Sequence, residues 1–363
     1  MKTITWITPT YFVDVDIQIV PELAKTFKIS WIISGNQRPT MLNQLIEHQP
    51  ANLEIEFYNN KSKWYSPLSY FAYRQFFSYV KTKNTDIIYC DFAPQLFAFY
   101  AALKELSKHK TVFATHNVKT PKGARHEALA RYYMMKLLKA FRNFHTFSRN
   151  QQEYLNSLVT GKNVLYAPLT LKDYGCKIEQ KKELKQINFL SFGHIRQYKR
   201  IDLLILASQQ LYEETKIHFK VTIAGNCPHW KRYQKLIKYQ HLFDLKIGFI
   251  EDKNIPQIFA EANYLILPYQ DLAQSGAITV AFNYNVPVIV SDIPQFKEFV
   301  TESENGFFFR SESVNSLKEC MREALLMPKD TYQELLVSTR EYVKNNYSLQ
   351  AIADKYISYL NKL

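Results

Sequence analysis

The feature that most constrains this chain is the alternation, from end to end, of short β-branched and aromatic runs with longer amphipathic stretches. That rhythm is the signature of parallel sheets covered by helices. Strands are predicted over residues 4–8, 29–34, 53–57, 86–90, 111–115, 145–147 and 164–167, and again over 188–192, 220–224, 245–250, 264–267, 288–290 and 307–309. Two such series fill 363 residues, more than one hydrophobic core usually serves. Two βα domains are therefore expected, over 1–170 and 171–348, with the joint at 170–186, where charges cluster and the pattern lapses. A last helix over 349–363 follows Ser348, a good N-cap residue, and is expected to pack back on the first domain.

Cys90, Cys176, Cys227 and Cys320 lie far apart, with no pairing or metal-ligand spacing, which fits a reducing compartment. No run reaches the ~18 apolar residues of a membrane span. The first apolar run breaks at Thr8-Pro9 and meets Asp14 and Asp16, so it reads as a strand and not as a signal peptide. A cytoplasmic protein is expected, or one peripheral on the inner face of the plasma membrane. Of the net charge of +13, the block 101–150 supplies most, with 11 Lys and Arg against 2 Asp and Glu.

Three segments have the make-up of ligand sites. In the first, an apolar strand ends at Gly193, and a loop carrying His194, Arg196, Lys199 and Arg200 precedes an amphipathic helix. Ligands of open α/β sheets bind beyond the carboxyl ends of strands, where a glycine lets an anion approach the backbone. Arg196 and Lys199 are placed to meet a diphosphate; simple solvation of these cations is the alternative. In the second, the strand ending at Pro268-Tyr269 yields to a turn with Gln274, Ser275 and Gly276 that opens an apolar helix, whose free N–H groups suit phosphate or sugar hydroxyls. Ser275 could also be a structural cap. In the third, His116 follows a strand in the other half, where it donates to a ligand or satisfies its loop. Asn226 and Ile250 sit at two further strand ends, where backbone groups could read a base edge.

Taken in order, Gly193 and Lys199, Gly225, Gly248 with Glu251-Asp252, Pro268-Tyr269, Gln274-Ser275-Gly276 and Pro287-Val288-Ile289-Val290-Ser291-Asp292 resemble the large retaining GT-B glycosyltransferase family called family four. The likeness is close over 188–309 and only in outline before it. It implies two Rossmann-like domains facing a central cleft, an N-terminal acceptor-binding half and a C-terminal nucleotide-sugar-binding half. The implied reaction moves a sugar from a UDP or GDP sugar to a glycan or lipid-linked acceptor with retention, in bacterial surface polysaccharide or glycolipid synthesis, and needs neither metal nor cofactor.

Carried across, Lys199 matches the lysine on the leaving diphosphate, with Arg196 compensating for an arginine whose place His194 takes. Glu298 matches the glutamate after the family's glycine-rich loop, and His116 the histidine near the transferred sugar. The family's two glutamates would fall near Leu272 and Val280, so the chain resembles the subgroup carrying Gln-Ser-Gly instead. The glycine pair expected after the first strand is replaced by residues 9–14.

Residues 119–149 interleave cations with apolar residues, as in a basic amphipathic helix lying on an anionic membrane or packing on a sheet with its cations in water. Two rival readings stand beside the transferase. The fold also admits a sugar-nucleotide epimerase or a phosphorylase. A pI of 9.3 with 15% aromatics admits a nucleic-acid-binding protein, but the aromatics are spread through core-like elements and no recognition motif is present. No nucleic-acid partner is expected.

Overall fold

The computed structural model describes residues 1–39, 42–60, 65–119, 126–175, 186–272 and 275–363. The chain divides into two compact units, Met1–Thr170 with Tyr347–Leu363, and Leu171–Asn346.

The first unit holds seven parallel strands: β1 (Thr3–Pro9), β2 (Lys28–Gly35), β3 (Leu53–Asn59), β4 (Ile87–Cys90), β5 (Thr111–Thr115), β6 (Asn143–Thr146) and β7 (Asn163–Tyr166). Their order is β3-β2-β1-β4-β5-β6-β7, so the winding reverses between β1 and β4. Helices Ser69–Thr82, Leu96–Leu106, Glu127–Ala140 and Arg149–Leu158 bury Phe77, Ala102, Leu137 and Leu155 against one face. On the other face lies the last helix, Leu349–Lys362, whose Ile352, Tyr356 and Leu360 join Trp6, Trp31 and Tyr89. Lys2 donates to the carbonyls of Leu360 and Asn361, and the Tyr359 hydroxyl to that of Asn163. Ser348 caps this helix by accepting from the Ala351 N–H at 3.3 Å.

The second unit holds β8 (Asn188–Phe192), β9 (Lys220–Gly225), β10 (Phe243–Ile247), β11 (Tyr264–Leu267), β12 (Val288–Ser291) and β13 (Gly306–Phe309), all parallel, in the order β10-β9-β8-β11-β12-β13. The reversal here falls between β8 and β11. In a doubly wound sheet, the loops leaving the two strands at such a reversal diverge to opposite faces and leave a crevice between them.

Most strands differ from expectation by one to three residues at an end, and two of these differences have a clear cause. β6 begins two residues before 145, because the buried Asn143 bonds to the Thr111 carbonyl and accepts from Asn163, so a polar residue holds the strand start. β10 ends at Ile247, opposite Gly225, and the backbone then turns at Gly248 with φ +145°. Ile250 is thus not on a strand. Nor do residues 119–149 form one helix: helix Glu127–Ala140 is followed by β6, and 120–125 lie outside the described residues. No helix among the described residues is long and apolar enough to cross a membrane.

Candidate functional site

Three neighbouring strands of the second unit, β8, β9 and β10, each give way to a glycine with positive φ at or just past the strand end: Gly193, Gly225 and Gly248. The Gly193 N–H donates to the Ala224 carbonyl at 2.9 Å and the Ile195 N–H to that of Asn226 at 2.8 Å, so the loop after β8 is clipped to the end of β9. A Cβ on Gly225 would stand 2.1 Å from the Gly193 carbonyl oxygen, and one on Gly193 would stand 3.3 Å from Lys199 Nζ. The backbone here is bare, and a cation lies over it.

The three cations of this loop have different surroundings. Arg200 is held by Asp202 at 2.9 Å and Glu312 at 3.0 Å. Arg196 and Lys199 make no ion pair among the described residues. Lys199 closes the short 3-10 turn Gln197–Lys199, with Nζ 5.0 Å from the centroid of the Tyr269 ring. Burial, and after it the charge of Arg196, holds its ammonium below the ordinary lysine range, Tyr198 opposing. Burial likewise lowers His194, with Arg196 and Lys199 adding to the effect. Uncompensated positive charge at the reversal of a parallel sheet is what a phosphate would neutralise.

The loop after β11 faces the same crevice. The Gln270 N–H donates to the Tyr198 carbonyl at 2.8 Å, and the Ser291 hydroxyl to that of Tyr269 at 2.5 Å. Ser275 is the N-cap of helix Gly276–Asn283 yet makes no capping bond, and its buried hydroxyl has no hydrogen-bond partner among the described residues. The Tyr269 hydroxyl lies near it, outside hydrogen-bond geometry. Tyr269 therefore stands between Lys199, which lies over its ring, and Ser275, which lies near its hydroxyl. Lys172 adds a cation that the sequence did not single out: its Nζ would stand 3.6 Å from a Cβ on Gly276.

Around this centre, Asn226 is exposed with its carbonyl taken by Ile195, Ile250 is half-buried past β10, and Glu298 is half-buried in the turn Phe296–Glu298. Gln274 lies outside the described residues. No cluster of three His, Cys, Asp or Glu among the described residues is arranged to hold a metal ion.

In the first unit His116 follows β5, buried between the rings of Phe12 (3.9 Å) and Phe147 (4.3 Å). Its Nε2 meets Asp91 Oδ1 at 3.0 Å. The other Asp91 oxygen is buried and receives no donor among the described residues. Beside it lies Asp16, which accepts from Trp6 Nε1 at 2.8 Å and from the Thr8 hydroxyl at 2.5 Å. Burial and then Asp91 push Asp16 well above the usual carboxylate range; burial and then Asp14 do the same to Asp91. Burial and mutual repulsion thus favour the retention of one proton by the pair, which would leave a single negative charge to orient His116.

The native pair therefore holds a proton that the unfolded chain releases near pH 4, and its contribution to stability falls as pH rises from there through the raised native value. Asp16→Asn mimics the protonated state. Relative to the wild type it is expected to gain about 1.4 kcal/mol per pH unit across that window. Urea denaturation in steps upward from pH 4 reads this; a difference independent of pH throughout would refute the retained proton.

Comparison with known proteins bears on both units. Residues 177–346 match the model of the family Glycosyl transferases group 1. An uncharacterized 41.2 kDa protein in the cps region of Klebsiella pneumoniae is 22% identical over 179 residues, 49% of this chain and 47% of that one, so the chain spans about half the length of the curated relative it matches. A solved glycosyltransferase from Rickettsia africae ESF-5 is similar over 99% of this chain and 97% of its own, with a TM-score of 0.72 and 16% identity. HepE of Anabaena, solved with UDP and glucose, is similar over the full length of both chains, with a TM-score of 0.74 and 13% identity. The match to Glycosyl transferases group 1 thus falls within the second unit, and the solved structures share the two-Rossmann GT-B fold over the whole chain.

Proposed function

We propose that this chain transfers a sugar from a nucleoside-diphosphate sugar, UDP in preference to GDP, to a glycan or lipid-linked acceptor with retention of configuration, as a member of the Gln-Ser-Gly subgroup. The observation that carries this is the pair of cations without carboxylate partners, Lys199 and Arg196, beside the uncapped helix start at Ser275-Gly276. The UDP and glucose bound to HepE favour a uridine donor, and the cps region of the Klebsiella relative favours a role in bacterial surface polysaccharide synthesis. The second unit holds the nucleotide, with Asn226 and Ile250 at the base and Glu298 toward the sugar; the first holds the acceptor and, through His116, the transferred sugar. The basic face of helix Glu127–Ala140 supports work at the inner face of the plasma membrane.

As the bond from the anomeric carbon to the diphosphate breaks, Lys199, Arg196 and the N–H groups of helix Gly276–Asn283 stabilise the charge gathering on the departing phosphate. That phosphate takes the proton of the acceptor hydroxyl while the new bond forms on the same face. No carboxylate pair is used.

UDP is expected to raise the melting temperature by several degrees, since a ligand at a hundredfold excess over its Kd stabilises by about 2.7 kcal/mol. GDP is expected to give a smaller shift. No response to UDP, GDP or their sugars in a thermal-shift assay would sink the proposal.

A further inference from the structure

The first unit contains a cavity of about 400 Å³ between helices Glu127–Ala140 and Arg149–Leu158. Val118, Ala128, Met134, Met135, Tyr154 and Leu158 line it, and the exposed Arg131 and Tyr132 stand at its mouth. It is a cleft open to solvent along Ala128, Arg131 and Tyr132, floored by the buried Val118 and Met134, and its volume is in the range of small-molecule sites. The lining is apolar, and its two methionines can reshape around a flexible guest.

The rim has the opposite chemistry. Arg131 makes no ion pair among the described residues. Lys119 lies 5.8 Å from the Tyr154 ring, and Lys136 lies 4.9 Å from that of Tyr132 and 5.2 Å from that of Tyr100. The adjoining helix Leu96–Leu106 exposes Tyr100 at 41% and Leu103 at 37%. Glu127 and Glu153 are the carboxylates carried by the two cavity helices, and Glu105 on the adjoining one is already held by Arg74 and Lys81. An apolar hole ringed by cations and tyrosines fits an amphiphile with an anionic head at a bilayer surface.

We propose that this cavity takes one hydrocarbon chain of an anionic phospholipid from the bilayer, with Arg131, Lys119 and Lys136 meeting its phosphate. Val118 lies two residues past His116 on the segment leaving β5, so a chain seated here is anchored beside the segment that carries the sugar-side histidine.

The test titrates the purified chain with alkyl phosphates of six to twelve carbons below their micelle concentrations. Affinity should tighten about three- to fourfold per added methylene until the cavity is full. Inorganic phosphate, including any held at Lys199 and Arg196 of the second unit, should not displace a bound alkyl phosphate, and alkyl trimethylammonium of equal length should bind at least about tenfold more weakly, since the head must meet cations. Ala128→Trp should abolish the chain-length dependence and reduce pelleting with phosphatidylglycerol-containing vesicles, while Arg131→Glu weakens every chain length alike. If Ala128→Trp fails to fold, Leu158→Phe makes the same test. Affinity independent of chain length, or vesicle binding that ignores both filling substitutions, would overturn the proposal by leaving only surface charge. The readout needs no sugar donor, so the UDP thermal shift reports separately on the transferase reading.

Discussion

Lys199→Ala should lower turnover about 10²- to 10³-fold, the loss typical of removing one donor aimed at charge that develops in the transition state, and should abolish most of the stabilisation given by UDP. The geometry makes this substitution informative. Lys199 Nζ lies over the bare backbone of Gly193 and over the Tyr269 ring, with no carboxylate to hold it. A half-buried ammonium without a carboxylate partner adds little to stability, so the alanine variant should melt close to the wild type without ligand. Because burial lowers the Lys199 pKa and a bound diphosphate raises it, the complex should take up a proton at alkaline pH. UDP affinity is then expected to fall as pH rises through the lowered value, and that dependence should vanish in the variant. Calorimetric titrations of both proteins at pH 7 to 10 decide the matter. An unchanged UDP shift in Lys199→Ala would remove this residue from the phosphate site. Lys199→Arg is not a safe control, since a planar guanidinium does not fit a site shaped for a point charge over a ring.

How much could be read beforehand differs between fold and site. Each of the thirteen strands among the described residues is legible: those buried on both faces, such as Tyr264–Leu267 and Val288–Ser291, are short, nearly unbroken apolar runs, and edge strands such as Leu53–Asn59 and Phe243–Ile247 alternate apolar with charged residues. The start of β6 is not legible because its first residue, Asn143, is polar and buried, satisfied by distant partners as His145 is two residues on. His145 donates from Nε2 to the Ala167 carbonyl and accepts the Tyr89 hydroxyl at Nδ1, and burial pushes its pKa down to about 3. Nothing local in the sequence distinguishes that structural histidine from His116.

Adjacency was the larger gap. The loops after β8 and β11 are more than 60 residues apart in sequence, and only the strand order brings Lys199, Tyr269 and Ser275 together. Asp91 carried a usable signal, as a carboxylate directly after the apolar strand β4. Asp16 and Lys172 carried none, since each gains its meaning from a residue far away in the chain.

Gly225→Ala should destabilise the second unit by about 3 to 5 kcal/mol, at the large end of single substitutions, and should remove the UDP-dependent shift. Two causes act together and can be separated. At φ +144° a side chain is strained whatever space surrounds it, a cost of about 1 to 3 kcal/mol. The new Cβ would also stand 2.1 Å from the Gly193 oxygen and 2.7 Å from its carbonyl carbon, and backbone atoms cannot swing aside as a side-chain tip does. Gly193 must retreat, breaking its bond to Ala224 and the one from Ile195 to Asn226, so the loop that carries Arg196 and Lys199 loses its anchor. Gly248 supplies the control: its φ is +145°, and nothing lies within 4 Å of a Cβ there. Gly248→Ala should therefore pay only the backbone strain and keep its response to UDP. The difference between the two variants in urea denaturation measures the close approach alone, and equal losses would mean that the contact between Gly193 and Gly225 does not hold the loop.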